Sequence, residues 1–210
     1  MLRASNVCRS RKLIALQIGS LFALLLILPG CWVVSIEGLD ESEWRGSVDH
    51  DRTFDPVLLG AWLIPSPGCV ATINITADND EYLARQTSEG EECSEEDKKE
   101  INYRSKLYKL DQHLFLDVTA RSRDACELCI PVHWIFLIRI EKDSLILAPI
   151  HSEWLKEGLE SKTVNLSTLS NETDVITATP KELKDFCRKY ADNKEAFIVT
   201  PTMVLKRKSP

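Results

Sequence analysis

The sequence predicts a mainly β (α+β) domain, an antiparallel barrel or strongly curved sheet with two late helices. Three observations carry this. Short apolar or alternating runs recur from Val57 to Ile150, separated by turn signals such as Asp78-Asn79-Asp80, Asp111-Gln112-His113 and Glu141-Lys142-Asp143. Helical spacing enters only at His151–Leu159 and again after Thr179. Strands that follow one another through tight turns favour antiparallel neighbours, and closing such a sheet hides its edges.

The chain opens with Arg9, Arg11 and Lys12, then an apolar run from Leu13 to Trp32 that contains Leu28-Pro29-Gly30-Cys31. A basic start, an apolar run and a small residue at the break describe a secretory signal over residues 1–30. Leu28 to Cys31 resembles the lipobox of bacterial lipoproteins, which implies cleavage before Cys31 and lipid on its sulfur. The run is also long enough to stay as an uncleaved anchor, for which about 20 apolar residues suffice. Its basic flank keeps the N-terminus inside under either reading. Every version, a plain cleaved signal included, exports residue 33 onward. The expected location is therefore the cell envelope, with the domain facing the periplasm or exterior and the membrane as a partner through an N-terminal lipid.

Residues 31–55 are polar, acidic and patternless, and read as a flexible acidic tether; residues 56–210 read as one β-barrel-like domain. The first 30 residues hold four basic and no acidic side chains, so the remaining 180 carry 22 Lys+Arg against 32 Asp+Glu, a net of −10. Such a domain repels phosphate backbones, which argues against nucleic acid as a partner.

Val57–Ile64 (VLLGAWLI) reads as one buried strand ending at Pro65. Cys69–Thr76 alternates, with Cys69, Ala71, Ile73 and Ile75 on one face, and Glu81–Gln86 follows as a third strand. Thr87–Glu100 is a charged loop whose acids match no calcium-loop spacing. Ile101–Leu110 and Leu114–Thr119 are the next two strands. Val132–Ile140 is the strongest, with Trp134, Phe136, Ile138 and Ile140 on one side and Ile135 and Leu137 apolar on the other. It turns into Leu145–Ile150 as a hairpin. His151–Leu159 is a helix. The second helix is marked by Thr179 as cap, Pro180 in the first position and Glu182 completing a capping box. Leu183, Phe186, Cys187, Tyr190 and Ala191 then share its buried face, Cys187 as a free thiol. Val164–Leu166 and Val175–Ala178 are short strands, and Ala196–Val199 with Met203–Arg207 form a final hairpin.

Gly60-Ala61-Trp62 lies on the first strand of this series and Arg207 on the last. A G-x-W on the first strand, a late helix and a basic residue on the final strand resemble the lipocalin and calycin barrels. The whole mature chain is similar to bacterial lipoproteins with lipocalin-like domains. The resemblance implies an antiparallel lipocalin-like barrel in which Trp62 closes the base and Arg207 stacks on it. The middle lipocalin motif is absent, and the helix at His151–Leu159 is not standard.

Among the cysteines, Cys69 and Cys93 flank a hairpin and its loop, and they are the first-choice disulfide in an oxidising compartment. Cys126-Glu127-Leu128-Cys129 with His133 offers three redox or metal-ligating side chains, but no second CxxC supplies a fourth ligand. Ile130 stands where haem attachment would need a histidine, and strand rather than helix follows the pair. The sequence holds no G-x-S-x-G, no HExxH and no glycine-rich phosphate loop. The expectation is thus a non-catalytic, membrane-tethered extracytoplasmic lipoprotein without metal or cofactor, binding a small apolar ligand or an envelope protein. A barrel of about eight strands just holds one small ligand, or fills its interior with side chains such as Trp134, Phe136, Tyr103 and Leu107. The alternative is an envelope thiol-disulfide or metal-binding protein using Cys126 and Cys129.

Overall fold

A computed structural model of the chain describes residues 33–41, 49–64, 67–121, 131–169, 172–199 and 203–209. The signal peptide expected over residues 1–30, the lipid-attachment residue Cys31 and the Cys126/Cys129 pair lie outside them.

Two short strands, β1 (Val34–Ser35) and β2 (Arg52–Thr53), precede the main sheet. β3 (Gly60–Ile64), β4 (Val70–Asp78), β5 (Glu81–Glu89), β6 (Ile101–Leu110), β7 (His113–Arg121), β8 (His133–Glu141) and β9 (Ser144–Pro149) then form an up-and-down meander. The chain leaves the meander through helix α1 (Ser152–Glu160), β10 (Thr168–Leu169), β11 (Glu172–Ile176) and helix α2 (Pro180–Tyr190). It returns as β12 (Val204–Arg207), which runs antiparallel between β9 and β3. Leu205 faces Leu145 on one side and Arg207 faces Trp62 on the other. With β8 also paired to β9, the ring β3-β4-β5-β6-β7-β8-β9-β12 is a closed eight-stranded antiparallel barrel.

The tight turns have local causes. Asn79 (φ 57°) and Asp111 (φ 55°) take the left-handed conformation that short polar side chains tolerate, and this reverses β4 into β5 and β6 into β7. Register then follows from alternation, because one face of each strand must be apolar. Trp62, Ile73, Leu107, Leu116, Phe136, Ile138, Leu145 and Leu205 point inward and form the barrel core.

The other faces of β6 to β9 are apolar too, because a second core lies outside the barrel. Tyr108, Leu110, Phe115, Ile135 and Ala148 pack there against Leu155 of α1 and Leu183, Phe186 and Cys187 of α2. This is why β8 is apolar on both sides. The α2 capping box forms as its residues predict: the Thr179 hydroxyl accepts from the Glu182 N–H, and the Glu182 carboxylate accepts from the Thr179 N–H. Such a cap contributes about 1 kcal/mol. Cys187 is fully buried as a free thiol.

Four segments differ from what their residues suggest, the first being Val164–Leu166, which forms no strand and is followed by β10 at Thr168–Leu169. Where the structure describes the expected tether, residues 33–41 and 49–55, the chain is packed. Val34–Ser35 forms a strand between β8 and β11, Leu39 is fully buried, and Arg52–Thr53 pairs with β6. Asp40 is held by Lys106, Glu41 and Asp49 by Lys184, and Asp51 by Lys184 and Arg188, so these acids mark ion pairing and not solvation. The run Val57–Ile64 is not one strand: Asp55 caps a 3-10 turn over Pro56–Leu58, and the strand starts at Gly60, whose φ of 111° favours glycine. Lastly, Ala196–Val199 and Met203–Arg207 do not pair as a hairpin among the described residues. Phe197 bridges Ile150, while β12 fills the gap between two strand edges that would otherwise stay open.

Candidate functional site

One end of the barrel is shut. The 3-10 turn brings Leu58 beneath the sheet, and Trp62, fully buried, donates from Nε1 to the Leu58 carbonyl at 2.9 Å. The Arg207 guanidinium lies 4.2 Å from the centroid of the Trp62 ring. It also donates to the carbonyls of Leu59 and Val57, tying β12 to the turn. A guanidinium over a tryptophan face is worth about 0.5–2 kcal/mol, more as the pair is desolvated. Phe54 stacks on Tyr82 at 4.8 Å, and the Tyr82 hydroxyl donates to the Asp55 carbonyl and accepts from the Asp55 N–H. The resemblance placed Trp62 at the base with Arg207 across it, and the structure brings those two together.

The other end differs. The inward side chains Ile73, Gln86, Tyr103, Val118 and Trp134 are partly buried, as are Ile75, Leu114 and Ile140 nearer the base, whereas Trp62, Leu107 and Leu145 are 0–1% exposed. Ile64, Ala71 and Met203 on the same half of the barrel are buried, and of the loops at this end residues 65–66, 122–130 and 200–202 lie outside the described residues. On this wall Tyr103 donates its hydroxyl proton to Oε1 of Gln86 at 3.2 Å. Burial pushes the Tyr103 phenol up to about 12, so it stays a neutral donor at any physiological pH. Above the Trp62–Arg207 stack, every described inward position is uncharged.

The rim is tied down by the Cys69–Cys93 disulfide, with a Cα–Cα distance of 4.9 Å across 24 residues. The link holds the acidic loop after β5 against the start of β4, and Glu92 N–H also donates to the Gly68 carbonyl. Closing a loop of this length stabilises by about 3 kcal/mol.

His133 points away from the lumen, on the face of β8 opposite Trp134. Its Nδ1 lies 2.6 Å from Oδ1 of Asp117, a buried carboxylate on β7. The other carboxylate oxygen accepts from the Leu39 N–H at 2.8 Å. Cys126 and Cys129, the expected partners of His133, lie outside the described residues, and among those residues no three metal-ligating side chains converge. Cys187 is no nucleophile where it sits: burial first, and the charge of Asp117 second, push its thiol well above its ordinary value.

Two features of the site escape sequence reasoning. One is the Tyr103–Gln86 pair, whose two residues meet only once the β5–β6 register is known. The other is the ion-pair clamp on the outer wall, where Lys184 of α2 holds Asp49, Asp51 and Glu41.

No family model matches the chain, and comparison with curated proteins and with solved structures gives no match either. Among the described residues, no helix is long and apolar enough to cross a membrane.

Proposed function

We propose that the protein is a non-catalytic, membrane-tethered extracytoplasmic lipoprotein of lipocalin-like build, whose barrel takes a small apolar ligand through its open end. The observation that carries this reading is that Trp62 and Arg207 close the base, while Trp134 and Val118 on the inward wall are only partly buried. Apolar side chains left half-open inside a barrel favour an apolar occupant, since each Å² removed from water is worth about 25 cal/mol. The signal over residues 1–30 and the lipid at Cys31 supply the tether. Because Val33 is already buried, a lipid at Cys31 would hold the domain close against the membrane.

The test is binding of a neutral apolar fluorophore, N-phenyl-1-naphthylamine. It should bind with an affinity that Val118→Trp, which fills the upper lumen, weakens at least tenfold. Equal binding to the variant would place the probe elsewhere and refute the reading. A domain acting through an envelope protein would bind no probe at all.

A second reading has one observation of its own. A histidine whose Nδ1 meets a buried carboxylate is held in the tautomer and orientation that metal-binding histidines use, and Asp117 does this for His133. An envelope metal or thiol-disulfide protein using Cys126, Cys129 and His133 would bind about one equivalent of zinc, and His133→Ala would abolish it. Zinc affinity unchanged by that substitution would count against it.

A further inference from the structure

The polarity of the lumen also specifies the class of ligand, given the reading that the upper lumen binds one. The wall above the Trp62–Arg207 stack offers no charge to pair with an ionised head group. Arg207 is the nearest inward cation, and it is committed to the Trp62 face and to two backbone carbonyls at the base. What the wall offers instead is the Tyr103–Gln86 pair. The Tyr103 hydroxyl donates a hydrogen bond to Oε1 of Gln86, which leaves the phenol oxygen able to accept and the Gln86 amide N–H groups able to donate.

The rim adds a second discrimination. The loop over residues 87–100 carries seven carboxylates and two lysines. Both lysines pair with acids of the same loop, Lys98 with Glu95 and Lys99 with Glu96. The Cys69–Cys93 disulfide holds that loop at the mouth.

We infer that the lumen is built for an uncharged single-chain amphiphile. Its tail lies against Trp134, Phe136 and Val118, and its hydroxyl or amide head engages Gln86 and Tyr103. A hydroxyl head accepts from the Gln86 amide and donates to the Tyr103 oxygen. A carboxylate head loses its hydration without gaining a cation from the described wall and meets the acidic loop over residues 87–100, and burying a charge on such terms is strongly unfavourable.

The experiment compares dodecanol with dodecanoate at pH 8 as displacers of N-phenyl-1-naphthylamine from the whole protein. Dodecanol should displace the probe at a concentration at least tenfold lower. Tyr103→Phe should weaken dodecanol about two- to tenfold, the worth of one uncharged hydrogen bond. Each variant's own affinity for the probe is measured first, and the dodecanol effect is read relative to it. Gln86→Leu should act on dodecanol in the same direction. Dodecanoate competing as well as dodecanol, or both variants leaving dodecanol unaffected, would overturn the inference while leaving a ligand-binding lumen in place. Absence of probe binding to the wild type would remove the ligand-binding reading and this inference with it.

Discussion

Lys184 is the residue on which the packing of the N-terminal stretch depends. Its ammonium lies 2.7 and 2.8 Å from the two Asp49 oxygens, 3.0 Å from Asp51 and 3.5 Å from Glu41, with the side chain only 2% exposed and that of Asp49 3%. Arg188 adds a second contact to Asp51 at 2.8 Å. Lys184→Ala leaves a nearly dry carboxylate without its cation, and breaking a buried pair from one side costs about 3–5 kcal/mol. For a domain of this size that lowers Tm by roughly 10 °C. Urea unfolding followed by tryptophan fluorescence reads the same loss. Adding Asp49→Asn to Lys184→Ala should recover part of it, because the stranded charge is gone. The pH dependence carries a sign. Burial alone would raise the Asp51 carboxyl, but hydrogen bonds and charge from Lys184 and Arg188 outweigh it and hold it below its ordinary 3.8. Its contribution is thus present above about that pH and lost as acid titrates the lowered value. Burial works against the Lys184 ammonium, but Asp49 and Asp51 carry it above its ordinary 10.5, so its contribution is lost only as pH climbs past that value. Stability owed to the clamp is therefore flat through neutrality and falls at both extremes. A Lys184→Ala protein within 1 kcal/mol of wild type would refute the clamp.

Other perturbations have equally definite outcomes. Trp62→Ala should cost about 3–5 kcal/mol as a core truncation, and Arg207→Ala about 1 kcal/mol; their energies should fail to add in a double-mutant cycle because the two groups touch. Reducing the protein should speed proteolysis within residues 87–100 without unfolding the barrel, since Cys69–Cys93 spans only the rim; an unchanged cleavage rate would contradict that. Cys187 should resist iodoacetamide in the native protein and react fully in urea, as mass spectrometry of the labelled peptide would show. Native-state labelling would mean that the α2 interface opens readily.

The barrel was legible in the sequence because alternation and turn chemistry act locally. Trp134, Phe136, Ile138 and Ile140 declare one face of β8, and Asn79 and Asp111 sit where the backbone reverses. The capping box at Thr179–Glu182 is equally local. What stayed hidden depends on distant partners. Val33, Val34 and Ile36 continue an apolar run that reads as membrane, and Leu39 stands isolated among acids, so nothing nearby signals that they pack on β8 and β11. Asp117 lies between Leu116 and Val118 and reads as a solvent-facing residue of a half-buried strand; its partners Leu39 and His133 are 78 and 16 residues away. Lys184 reads as the polar edge of an amphipathic helix, and only the carboxylates carried over it by residues 41–51 bury it. Tyr103 and Gln86 meet across a loop whose length sets no register.

The most direct test of the ligand-binding account is native mass spectrometry of the intact protein purified from the envelope of expressing cells, compared with the same sample denatured. The account predicts a non-covalent adduct of lipid-like mass that disappears on denaturation and is replaced by dodecanol when that alcohol is added in excess. A bare protein in both spectra, with no adduct even in excess dodecanol, would contradict it and leave a barrel that acts through its outer surface.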